Sequence, residues 1–221
     1  MDPLDEYKLT SPLEYHHLEG SPEILKVSVE RVQRAVNALN VHKACGPDGI
    51  PNWLLKDFSD IVGQPITLII NASYKEQQLP KMWKGANVTQ KAKPVQDLTK
   101  QLRPISLTPC LSKLAEDFIV SDYIKPAVTK VIDPNQYGVA PSSSTTMALI
   151  SMLHNWTLGT DGNGSTVRSI LFDYRKAFDY IDHSILVDKL CNLDIPISVI
   201  NWIINFLSDR LQRVKLGNDC Y

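Results

Sequence analysis

Cysteine is sparse in this 221-residue chain: Cys45, Cys110, Cys191 and Cys220 stand far apart. No two have the C-x-x-C spacing of a zinc or redox site, so they read as reduced, mostly structural thiols of an intracellular protein. Long apolar runs are also missing. No stretch is long enough to span a bilayer, and no charged-then-apolar leader opens the chain. Charge of one sign is lacking too, because 23 Lys and Arg against 24 Asp and Glu leave a net charge of −1. That balance carries no global basic signal for nucleic acid. Three common chemistries lack their motifs. There is no G-x-S-x-G nucleophile elbow, and the GPDG at 46–49 is not followed by the Lys-Ser/Thr of a phosphate loop. In TDGNGST, Asp161, Asn163 and Ser165 have calcium-loop spacing, but Thr166 replaces the glycine and Phe172 the glutamate. The five histidines are scattered, and the adjacent His16 and His17 suit a metal poorly.

What is present is ordinary globular composition, 43% hydrophobic and 21% charged, in a chain long enough for one large domain or two small ones. The charge is uneven. Lys75, Lys81, Lys84, Lys91, Lys93, Lys100 and Arg103 face only Glu76 and Asp97 in the same stretch, a local basic stripe or simply a solvated face. Residues 1–27 are polar, proline-punctuated and expected to be loosely ordered. Apolar spacing at Val29, Val32, Val36 and Leu39 predicts a helix capped by Ser28. A second helix fits 52–80, with breaks expected at Gly63 and Pro65. Residues 86–93 and 103–108 predict a strand hairpin. Helices follow over 111–128, with Leu111, Leu114, Phe118 and Ile119 on one face, and over 147–158 after a capping Ser/Thr cluster. Val167–Tyr174 is the best strand candidate and is expected to be central in a sheet. A helix from Lys176 would carry Phe178, Ile181, Ile185 and Leu186 on one face. Another begins with Pro196 in its first turn, and QRVKLG closes as a strand. The expected fold class is α+β, helix-rich with a few short strands.

Within this pattern the stretch 171–183, LFDYRKAFDYIDH, raises a chemical question. An acid, Asp173, ends an apolar run, where desolvating it is costly. Solvent, a hydrogen bond or a hard oxygen-seeking cation could each offset that cost. Spacing alone leaves the three open. Asp182, just before an apolar helix, is suited to bonding a helix turn or His183.

LFDYRKAFDYIDHSIL resembles the first catalytic block of the reverse transcriptases of non-LTR (LINE-like) retrotransposons. Other blocks resemble the same family in the same order: ACGPDGIPNWLLK, then LPKMWKGANV with LRPISLTPCLSKLAE, then PNQYGV with SSTTMAL, then FLSDRLQRVKLG. The resemblance covers roughly residues 28–221. It implies a fingers-like region over 28–135 and a partial palm over 136–221, after a loose segment 1–27. It also implies RNA-directed DNA polymerisation with an RNA template, a DNA primer, dNTPs and magnesium. Asp173 would be the catalytic, metal-binding acid of a two-metal centre, helped by the backbone carbonyl of Tyr174. Phe178 would lie under the incoming sugar and exclude a 2′-hydroxyl; the other reading, compatible with the first, is a core residue of the helical stripe. Arg103 and Lys93 would face the triphosphate or template, and Lys91 and Lys100 nucleic acid. Asp179 and Asp182 read as structural acids that orient the loop and helix around the site.

The pattern also departs from the family. Thr89-Gln90-Lys91-Ala92 stands where an apolar, proline-containing strand is usual, and VAPSSS lacks the usual glycine and basic residues. The family's Tyr/Phe-x-Asp-Asp turn is absent, no Asp-Asp pair occurs, and the later palm and the thumb are missing. The expectation is therefore a fingers-plus-partial-palm fragment, inactive alone and without tightly bound magnesium. The rival readings are a non-catalytic remnant that binds RNA through the basic stripe, and a non-functional remnant exposing apolar surface.

Overall fold

A computed structural model describes residues 13–14, 25–90, 104–138, 140, 142–161, 166–174, 177–178, 180–216 and 219–220. The first helix, α1 (Val29–Asn37), begins at the expected cap: the Ser28 side chain accepts a hydrogen bond from the Arg31 N–H. Val32 and Val36 of its apolar stripe are fully buried. The single helix expected over 52–80 is two, α2 (Asn52–Asp57) and α3 (Ser59–Glu76), parted at Phe58. Gly63 and Pro65 do not break α3. Pro65 lies on its exposed face, where the carbonyl it leaves unpaired can meet water. Gly63 faces α1 so closely that a Cβ there would come within 2.5 Å of Gln33 Cγ.

A 3₁₀ turn (Lys81–Lys84) leads into β1 (Gly85–Gln90), which pairs antiparallel with β2 (Pro104–Leu107). The expected hairpin is thus present; its parts at 91–93 and 103 lie outside the described residues. Next come α4 (Cys110–Ile119), a π-helical turn (Val120–Ile124) and α5 (Lys125–Thr129). Leu111, Leu114, Phe118 and Ile119 share the buried face, as their spacing predicts. α6 (Thr145–Thr160) is capped by Ser144, whose side chain accepts from the Met147 N–H, and buries none of its residues. α7 (His183–Cys191) and α8 (Ile197–Leu207) precede β3 (Leu211–Leu216) and a two-residue β4 (Asp219–Cys220). Pro196 sits at the N-cap of α8, one place before the first turn.

The described strands form one sheet in the order β2-β1-β3-β4, with β1 and β3 parallel. The core lies beside it, where α1, α3, α4, α7 and α8 converge in one apolar cluster. Trp202 is at its centre, edge-on to Tyr74 with centroids 5.7 Å apart and stacked on Phe206 at 5.6 Å. Asn71 closes the N-terminal side by accepting from the Val27 N–H (2.8 Å) and donating to the Val27 carbonyl (3.0 Å).

Two expectations are corrected here. Residues 167–174 are not a central strand: they have no regular structure and are exposed, with Leu171 86% and Phe172 83% accessible. A strand needs a partner for its backbone groups, and no described strand pairs with this segment. The helix expected from Lys176 begins only at His183, because Asp182, in extended conformation, caps it.

Candidate active site

The apolar run that ends in Asp173 reaches the surface instead of the core, and this sets the character of the site. Asp173 is exposed. Solvent alone therefore relieves the desolvation cost that a buried carboxylate would carry. Tyr174 beside it is 81% accessible, and Phe178, in a turn four residues on, is 90% accessible. The alternative that Phe178 is a core residue on a helical stripe is thereby overturned: it is neither helical nor buried. An aromatic ring held in water gains nothing from burial, so its place in this turn calls for another account.

Asp182 ends the segment. Its Oδ1 accepts from the Ser184 N–H at 2.8 Å and the Ile185 N–H at 3.3 Å, satisfying two free donors at the start of α7. Asp179, Lys91, Lys93, Lys100 and Arg103 lie outside the described residues. In sequence, Lys91 and Arg103 adjoin Gln90 and Pro104, the last paired residues of the hairpin.

Two magnesium ions need several converging oxygen donors. Among the described residues no three His, Cys, Asp or Glu side chains converge, and Asp173 offers a single carboxylate. The described donor set does not fit a two-ion centre.

Other functional-looking contacts escaped the sequence. Gly46 of the GPDG turn packs backbone to backbone, since a Cβ there would meet Pro109 N at 2.5 Å and Thr108 C at 2.7 Å. Arg213 of β3 donates through Nε to Asn87 Oδ1 at 2.6 Å and through Nη2 to the Pro47 carbonyl at 3.5 Å. The GPDG turn, the hairpin and the post-helix strand, far apart in sequence, thus meet at one guanidinium. Arg31 grips Asp122 with both Nη atoms, at 2.5 and 2.6 Å, and lies 4.8 Å from the Phe118 ring centre. That pairing holds the Asp122 carboxyl below the usual carboxylate range. Burial pushes the Glu116 carboxyl up, with Asp117 adding to the shift, and pulls the Arg210 guanidinium down. For Gly46 the signal available beforehand was the GPDG turn motif; the partners of Arg31 and Arg213 lie far away along the chain and left none.

A family model described as reverse transcriptase (RNA-dependent DNA polymerase) matches residues 89–219, more than half of the chain. The chain is 27% identical over 208 residues to a probable RNA-directed DNA polymerase from transposon BS of Drosophila melanogaster, covering 91% of this chain and 22% of that protein. It is 28% identical over 193 residues to the RNA-directed DNA polymerase from mobile element jockey of the same species, covering 86% and 21%. A probable RNA-directed DNA polymerase from transposon X-element, also of that species, is 30% identical over 145 residues, covering 64% and 16%. The chain spans about a fifth of the length of the first two relatives.

Proposed function

From the premise that this chain belongs to the reverse transcriptase (RNA-dependent DNA polymerase) family, we propose that it forms the fingers and the first acid-bearing palm segment of a retrotransposon RNA-directed DNA polymerase of the non-LTR type. The observation that carries this is Asp173: a solvent-facing carboxylate that ends an exposed apolar run, inside the matched range. In this proposal Asp173 is one ligand of a divalent-ion site, with the Tyr174 carbonyl beside it. The other acids lie beyond the described residues, because one carboxylate does not hold two ions. Such chemistry asks little of a protein beyond positioning and charge neutralisation. Phe178 projects a rigid ring that would occupy the volume of a ribose 2′-hydroxyl. Arg103 and Lys93 bind the triphosphate, and Lys91 and Lys100 contact nucleic acid. Template RNA, primer DNA and dNTPs are the substrates, and residues 28–135 and 136–221 are the fingers-like and palm-like parts.

The test is primer extension on an RNA template by a polymerase-length chain containing these residues. Asp173→Ala should lower extension by at least about a hundredfold while leaving the far-ultraviolet circular dichroism unchanged, because an exposed carboxylate contributes little to folding. Appreciable surviving extension would overturn the assignment.

A further inference from the structure

Helix α8 buries two amides where apolar packing would suffice. Asn201 and Asn205 are 3% and 9% accessible, one turn apart, in a helix whose one other polar residue is Ser198. Buried amides are costly unless their partners are in place. Asn205 Oδ1 accepts from the Leu79 N–H at 2.8 Å, and Asn201 Nδ2 donates to Gln77 Oε1 at 2.7 Å. Between them, Trp202 Nε1 donates to Ser73 Oγ at 3.0 Å, and Ser73 Oγ donates to the Gln78 carbonyl at 2.6 Å. Three consecutive residues, 77–79, are therefore held where the chain leaves α3, at a point where Gln77 has the left-handed φ of 55°.

The contacts continue in order along both stretches. Lys84 Nζ donates to the Ser208 carbonyl at 3.3 Å, and Arg213 Nε to the buried Asn87. Residues 201–213 thus splint residues 73–87 from the end of α3 into β1. Apolar side chains would hold α8 against α3 equally well, but they would not dictate the direction of exit. Directional hydrogen bonds do. We propose that Asn205 is a positioning residue: it sets where the β1–β2 hairpin stands against β3, and hence the nucleotide-facing side of the fingers. This rests on the polymerase function proposed above.

Asn205→Leu keeps the number of side-chain heavy atoms but removes the amide's acceptor and donor; Asn205→Asp keeps an accepting oxygen. In the 221-residue chain, Asn205→Leu should speed hydrogen exchange at the amides of Leu79 and residues 85–88 about tenfold, the effect of one orphaned buried donor. Exchange in α1 and α4 should stay the same, and Asn205→Asp should recover most of the lost protection. Unchanged exchange over 79–88, or uniform loss of protection in every helix, overturns the proposal. In the polymerase-length chain, Asn205→Leu should raise the KM for dNTP about tenfold with kcat within about twofold. Equal losses in kcat and kcat/KM overturn it. A wild-type chain that extends no primer refutes the polymerase function, while the exchange data still decide the positioning role. If Asn205→Leu does not fold, Asn201→Leu, which releases Gln77 from the same splint, is measured in the same way.

Discussion

Phe178 is the residue whose surroundings say most for its size. Burying a phenyl ring returns about 1.5–3 kcal/mol, yet this one is 90% accessible. If it lies under the sugar of an incoming nucleotide, Phe178→Ala should lower the preference for dNTP over rNTP about tenfold to a hundredfold in primer extension. An unchanged ratio would remove the steric role. Far from it in sequence, Arg31 holds the Asp122 carboxyl below its ordinary range. A depressed carboxylate stabilises the fold above its unfolded pKa, near 4, and loses that contribution as pH falls through the lower folded value. Each side chain of the pair is 34% accessible, so solvent screening limits the contribution to about 1 kcal/mol. Urea unfolding should then show a wild-type advantage over Asp122→Asn at pH 7 that shrinks as pH falls below about 4. An advantage independent of pH would mean that packing, not the ion pair, is responsible.

Elements were legible where a local group settles their ends. Ser28 and Ser144 cap α1 and α6 as their positions suggest, and the apolar period of α4 names its buried face. The start of α7 was misplaced by seven residues because apolar spacing at Phe178 and Ile181 outweighed the Asp182 cap in the periodic pattern. Asp182→Ala should cost about 1 kcal/mol of stability in urea unfolding; a change near zero would show that the end of α7 is held by packing alone. Gly46 was recognisable as part of a turn, but not as a packing contact. Its Cβ would collide with backbone at Pro109 and Thr108, atoms that cannot rotate away. Gly46→Ala should therefore destabilise by roughly 2–3 kcal/mol and loosen the turn from the start of α4, read as a lower urea midpoint.

At the scale of the whole molecule, apolar residues are buried in some elements and left exposed in others. The cluster around Trp202 is buried, whereas Leu149, Ile150, Leu153 and Leu158 of α6 are exposed, as are Ile170, Leu171 and Phe172. Surfaces of this kind bind something or self-associate. The 221-residue chain should elute above monomer mass in light-scattering chromatography, and Leu153→Lys with Leu171→Lys should shift it towards monomer. A wild-type chain that is monodisperse and monomeric would mean that this surface is covered by another part of the chain.

Short-range chemistry was enough to read the caps at Ser28 and Ser144 and the buried stripes, because each depends on neighbours within a few residues, whereas the role expected of the acid-bearing block came from the family resemblance. The exposed path of 167–174, the close approach at Gly46 and the splint from Asn201 to Arg213 were not readable that way. They depend on partners that meet across long stretches of chain: a strand exists only if another strand pairs with it, Gly46 is crowded only once Pro109 is brought against it, and Asn205 holds the exit of α3 only if packing brings Leu79 within 3 Å.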